Sequence, residues 1–251
     1  MVLPVHDDNP TRRVPVVTYL LLIVNVLAFL LSPVATHIVG SSDIEQQCRQ
    51  IAFFDEYAAK PRELLTGEQG PPTRVIDGED ISVCPVPSYN KEPFLSVLFA
   101  MFLHGGWLHL LGNLLFLHVF GNNVEDRLGR LRFLAFYLGC GYAATYGFAL
   151  FQATSMQPLV GASGAIAGVL GAYLVLFPRA RIWVLLTFFF FFPVKLPAWL
   201  VLGSWFLLQY LYFQGAGLAA GSKVAYGAHV IGFVVGAVLV WSMRGKRARA
   251  R

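Results

Sequence analysis

The sequence predicts an all-α membrane protein: a bundle of six transmembrane helices with a large extracytoplasmic loop between the first and second spans. Three observations lead there. Of the 251 residues, 56% are hydrophobic and 13% charged, which is more apolar surface than one soluble core hides. Apolar runs recur along the chain at close to the roughly 20 residues a helix needs to cross a hydrocarbon core. Lys and Arg of the short connections gather on alternate loops, the bias of cytoplasmic loops in polytopic proteins. Topology therefore accounts for the net charge of +5, and nucleic acid is not expected as a partner.

Residues 1–13 read as a cytoplasmic amino tail and 14–32 as the first span, which is long enough to cross and lacks a small-x-small cleavage site after it. Residues 33–93, rich in Asp, Glu, Pro and Gly, form a hydrophilic insert. Spans at 94–120, 131–153, 159–177, 196–213 and 224–243 make a core over 94–243, and RGKRARAR at 244–251 is a basic tail. Six spans bring both termini to one side. The amino tail, the turn at 122–132, Arg179, Arg181 and the basic tail hold nearly all the short-loop cations, against Lys223 opposite. Both termini are thus expected in the cytoplasm and the insert outside. Cys48 and Cys84 both lie in that insert, and an oxidising compartment would allow them to pair, so they are a candidate disulfide. Cys140, inside the third span, reads as a small buried hydrophobe. The run IWVLLTFFFFF at 182–192 is too short to cross alone, and Pro193 and Pro197 argue for a break after it. An interfacial or re-entrant segment on the cytoplasmic side is expected.

An absence narrows the chemistry: no Asp or Glu follows Asp126, and the earlier ones fall in tails and loops. A carboxylate proton relay, a carboxylate metal site or a Ser-His-Asp triad is hard to build from what remains, and neither metal nor cofactor is expected. The spans instead hold His109, Asn113, His118, Ser163 and His229, polar groups that are costly at membrane depth unless partnered or wetted. The second, fourth and sixth spans all begin on the outer face. At 1.5 Å per residue, Ser163 falls ~6 Å below the start of its span, His229 ~8 Å, and His109 and Asn113 ~8 to 14 Å. His109 and Asn113 are four apart and share a helix face. Asn113 taken alone reads as an interhelical hydrogen-bonding residue. His118 is turned to the opposite side and reads as structural, while His104 reads as a loop-fixing residue.

Gly161, Gly164, Gly168 and Gly171 remove bulk from the fourth span, and Gly232 and Gly236 put a smooth face beside His229. Two such helices can approach until a serine hydroxyl lies within about 2.6 to 3.2 Å of an imidazole, as activation of a weak nucleophile requires. Singly, these residues read as helix packing, a serine bonded to its own backbone and an interhelical histidine. Together, in separate helices at one depth, they favour Ser163 as nucleophile and His229 as general base.

The motifs HGGWLHLLGNLLF, FGNNVEDRLGR, LVGASGAIAGVLGAYL and YGAHVIGFVVG, in this order over about residues 101–241, resemble the rhomboid family of intramembrane serine proteases, of bacterial type. The resemblance implies a Ser163–His229 dyad that needs no carboxylate, with His109, Asn113 and the backbone N–H of Ser163 stabilising the oxyanion. It assigns Glu125, Arg127 and Gly129 to a structural cytoplasmic turn. It also implies transmembrane protein substrates in the lipid bilayer, cleaved near the membrane surface. Access would be gated by residues 196–213 and the Gly-rich loop 215–221, with the site opening to the outside of a bacterial inner membrane. Oligomeric state stays open. The sequence departs from the family in three places. The insert is long; Phe94, Leu95 and Ser96 stand where a Trp-Arg pair is often found before the second span; and Ala167 stands where some members place an aromatic residue to stack on the base. The rival readings are a non-proteolytic rhomboid-like protein that binds membrane clients and, further off, a small transporter, which predicts intramembrane charge or repeated halves.

Overall fold

The computed structural model describes residues 2–36, 44–70, 74–77, 80–84, 91–187, 191–215 and 224–248. Helices dominate them. Helix α1 (Val16–Leu30) starts behind Pro15, and α6 (Arg130–Phe151), α8 (Ala198–Phe213) and α9 (Tyr226–Ala248) lie close to the predicted spans. By length and composition α6 and Tyr226–Met243 of α9 suffice to cross a membrane, while α1, α8 and α7 (Ser163–Leu176) are shorter apolar helices. Leu20, Ile23, Leu131, Leu150, Trp199, Val238 and Trp241 are exposed on the outside of the bundle, the lipid-facing surface that its composition requires.

Two predicted spans are cut shorter than the apolar pattern indicates. Residues 94–120 divide into α4 (Pro93–Ala100) and α5 (Trp107–Leu128). The break at residues 101–106 contains Gly105 and Gly106, which weaken helical continuation. Helix α5 then runs past residue 120, so Glu125 and Arg127 lie in its last turns, and the turn itself is Gly129 at φ 85°. Glu125 is buried; its Oε1 accepts the N–H of Val17 at 3.0 Å and its Oε2 accepts the N–H and hydroxyl of Thr18 at 2.7 and 2.8 Å. It thereby satisfies orphan donors at the start of α1. The fourth span likewise loses residues 159–162, because α7 begins only at Ser163.

The all-α expectation needs amendment. Strands β1 (Val2–Asp7), β4 (Arg181–Thr187) and β5 (Phe191–Pro197) form an antiparallel sheet in the order β1-β4-β5. The amino tail and the expected re-entrant segment are therefore one structure, and Phe188, Phe189 and Phe190 lie outside the described residues. Alternation explains it, since Ile182 and Val184 point from one face of β4 into the core. Pro4, Pro193 and Pro197 all sit in edge strands, where a missing N–H is tolerated. Asp7 pins the sheet to the helices: its Oδ2 accepts hydrogen bonds from Asn123 Nδ2 at 2.7 Å and the Tyr173 hydroxyl at 2.5 Å. Burial pushes the Asp7 carboxyl above its usual range, against the lowering effect of Tyr173.

The insert carries α2 (Ile44–Tyr57), α3 (Pro61–Thr66) and a hairpin of β2 (Arg74–Asp77) and β3 (Asp80–Val83), with Cys48 and Cys84 joined in a disulfide. Lys60, Asp55, Glu63 and Lys91 form a buried ion network, with Lys60–Asp55 and Lys91–Glu63 both at 2.6 Å. Backbone bonds Leu159 N–H to Ala59 O (2.7 Å) and Arg62 N–H to Ser155 O (3.0 Å) seat the insert on the loop before α7.

Helix α7 is central, buried without interruption from Ala165 to Tyr173, as expected of a helix apolar on every side. Gly232 and Gly236 of α9 abut the carbonyls of Gly164 and Gly168, and Gly171 abuts the carbonyl of Phe233. The predicted glycine faces thus meet backbone to backbone. Gly168 also receives Cys140, which is buried in α6.

Candidate active site

Ser163 stands at the first position of α7, not a turn below its start as expected from span 159–177. Pro158 and Gly161, at φ 114°, hold the preceding residues out of the helix. The Gly161 N–H donates to Ala100 O at 2.8 Å, which fixes this corner against the end of α4. At the first helical position the Ser163 N–H is one of the donors a helix leaves without an internal partner.

The interlocked glycines bring α9 close enough that Ser163 Oγ and His229 Nε2 are 2.8 Å apart. On its other side His229 Nδ1 lies 2.7 Å from Gln209 Oε1 of α8. Aromatic rings flank the imidazole: Trp205 has its centroid at 6.0 Å and 30° to the ring, and Tyr226 meets it edge-on at 6.3 Å. Ala167 is fully buried in the core, so the support that other members draw from that position comes here from α8 and α9. Sequence reasoning missed Gln209 and Trp205. The available signal was a glutamine in an apolar span, near the end that parity places on the outer face.

His109 and Asn113 both face Gly161. A Cβ on that glycine would lie 2.7 Å from His109 Nε2 and 3.5 Å from Asn113 Nδ2, so glycine is needed there for space as well as for φ. His109 Nδ1 accepts the Gly105 N–H at 3.4 Å, which leaves Nε2 as the protonated donor. Asn113 is buried and its Nδ2 has no hydrogen-bond partner, a cost normally avoided. One cavity of about 930 Å³ is lined by Ser163, His229, His109, Asn113, Gln209 and Phe54 of the insert, among others. His104 lies behind His109, with ring centroids 5.1 Å apart, and contacts the Phe102 carbonyl of its own loop through Nδ1 at 3.2 Å. His118 is exposed and outside the cavity. Among the described residues no cluster of His, Cys, Asp and Glu could hold a metal ion. Residues 216–223, most of the expected Gly-rich gate together with Lys223, lie outside the described residues.

The Ser163–His229 pair and the unpartnered Asn113 amide in one cavity agree with a comparison of the whole chain against known families, in which the Rhomboid domain model matches residues 91–246. The chain belongs to the rhomboid family. Similar proteins include Rhomboid protein 1, mitochondrial, of Saccharomyces cerevisiae, 33% identical over 153 residues, or 59% of this chain and 41% of that protein. RHOMBOID-like protein 6, mitochondrial, of Arabidopsis thaliana is 32% identical over 170 residues, covering 61% and 50%. Rhomboid-like protein 11, chloroplastic, also of Arabidopsis thaliana, is 31% identical over 163 residues, covering 61% and 54%. This rhomboid chain thus spans about half the length of the curated relatives it matches. Membership places it in a membrane. The bacterial branch and bacterial inner membrane expected from sequence go beyond what these organellar relatives support.

Proposed function

We propose that this rhomboid chain is an intramembrane serine endopeptidase hydrolysing peptide bonds in or near transmembrane segments of other membrane proteins. The observation that carries the reading is the 2.8 Å contact between Ser163 Oγ and His229 Nε2, set beside the Asn113 amide, whose Nδ2 has no partner of its own. In the proposed reaction Ser163 Oγ attacks the scissile carbonyl while His229 takes its proton, then returns it to the leaving amine. The oxyanion is received by Asn113 Nδ2, His109 Nε2 and the Ser163 N–H, groups already aimed into the cavity before substrate arrives. Water completes the second half of the reaction through the same base. No carboxylate takes part.

Six spans with both termini in the cytoplasm are part of the same proposal, with α4 and α5 together filling the second. Because Phe54 of the insert lines the cavity, substrate would arrive on the insert's side, outside. A substrate helix has its carbonyls tied up in backbone hydrogen bonds, so segments loosened by glycine are the expected targets.

The test is fluorophosphonate labelling of detergent-solubilised protein, paired with cleavage of a transmembrane reporter containing glycine. Wild type labels and cleaves; Ser163→Ala and His229→Ala do neither; Asn113→Ala slows cleavage by roughly 10²- to 10³-fold. Wild-type protein inert in both assays, or labelling that survives Ser163→Ala, overturns the protease and leaves the client-binding role in its place.

A further inference from the structure

We propose that Gln209 is a positioning residue for the base: its amide oxygen accepts the Nδ1–H of His229 and holds the imidazole with Nε2 bare and turned to Ser163. The inference rests on the protease reading and adds a third member to the dyad, drawn from a different helix. A neutral imidazole carries one ring proton, and the side-chain oxygen of Gln209 can only accept. At 2.7 Å from Nδ1, that oxygen requires the proton on Nδ1. Nε2, at 2.8 Å from Ser163 Oγ, is then the acceptor, and the serine hydroxyl must donate to it. The chain of bonds Ser163 Oγ–H to Nε2 and Nδ1–H to Gln209 Oε1 thus has one direction, the one in which the base is ready.

The same task falls to a carboxylate in triads, which also stabilises the imidazolium that forms. A carboxylate at this depth is costly, and the sequence offers none after Asp126. A neutral amide supplies the acceptor without a buried charge, and its oxygen still faces the ring as positive charge develops. Trp205, four residues earlier on α8, shares the Gln209 face and lies against the same imidazole. Helix α8 therefore grips the base at two points, and the base is set only while α8 is seated on α9.

The experiment uses the full chain with Gln209→Leu and Gln209→Glu. Leucine removes the acceptor at similar volume and should lower kcat about tenfold, the factor of one ordinary neutral hydrogen bond. KM should stay within about twofold, because the contact lies behind the base and away from the substrate. Glutamate restores an acceptor oxygen at the same reach and should keep kcat well above that of the leucine variant. The tautomer is read separately by 15N-histidine NMR, with the His229 signals assigned by their loss in His229→Ala. Wild type should show protonated Nδ1 and bare Nε2, and Gln209→Leu a mixture of tautomers. Wild-type kcat in Gln209→Leu, glutamate falling as far as leucine, or protonated Nε2 in the neutral wild type each overturns the proposal. The NMR measurement needs no turnover, so protein inert to probe and reporter would remove the protease reading while the tautomer still decides the role of Gln209.

Discussion

Gly236→Ala is expected to disable Ser163 from two helical turns away. A Cβ at residue 236 would lie 2.6 Å from both the carbonyl carbon and the Cα of Gly168. Carbon atoms rest about 3.5 to 4.0 Å apart, and the Gly168 carbonyl oxygen would lie closer still at 2.0 Å, so relief requires at least about 1 Å of movement. The obstructing atoms are backbone, and no side chain can swing aside to provide it. Helices α7 and α9 must part, and a parting of that size carries the 2.8 Å Ser163–His229 contact beyond hydrogen-bond range. Overpacking of this kind costs about 1 to 3 kcal/mol of stability, and about 1 Å of misplacement at a reacting pair costs roughly 10²-fold in rate. The assay is the rate of fluorophosphonate labelling, with thermal unfolding followed in the same detergent. Gly139→Ala is the control, because a Cβ there meets nothing within 4 Å. It should label normally and gain up to about 1 kcal/mol from helix propensity. If Gly236→Ala stays folded and labels at the wild-type rate, or if Gly139→Ala loses as much, the reasoning from backbone contact is wrong.

Glu125→Ala should cost about 3 kcal/mol, since it strands donors of Val17 and Thr18 that a buried carboxylate now satisfies; Glu125→Gln should lose less, and equal thermal midpoints for the two would contradict the capping role. Reduction of Cys48–Cys84, which are 36 residues apart, should destabilise the insert by about 4 kcal/mol on loop entropy. Limited proteolysis with and without reductant reads that change, and an insert cut equally fast in both, or two titratable thiols in the native protein, would refute it.

The sequence was most informative where the candidate site depends on side-chain identity and periodicity. Ser163, His229, His109 and Asn113 were identifiable because polar groups stand out in apolar spans, and the glycine spacings showed which helix faces could meet. It was least informative where backbone conformation intervenes. Residues 159–162 and 101–106 are apolar enough to continue a helix by pattern, but Gly161 at φ 114° and the Gly105-Gly106 pair end it locally. The sheet is not legible in the sequence because its strands are joined only in space: Leu3 pairs with Leu185 across most of the chain, and nothing local in residues 2–7 announces a partner. Within IWVLLT, strand alternation and continuous apolarity cannot be separated without that partner. Gln209 is illegible for a related reason: an uncharged amide in a span is ordinary until the group it faces is known.

The displacement of Ser163 from inside a helix to its first position changes what the fold contributes to the chemistry. Inside α7 its N–H would be committed to a carbonyl one turn back and unavailable to an oxyanion. At the first position that N–H is free, and the positive end of the helix dipole adds to it where negative charge would develop. The residue that ends the loop, Gly161, is also the one whose missing side chain lets His109 and Asn113 approach. One loop-to-helix transition therefore sets the proposed nucleophile, backbone donor and side-chain donors together. That transition is seated by the insert, through Ala59 on Leu159 and Arg62 on Ser155. The long insert is thereby tied to the register of the loop that leads into Ser163.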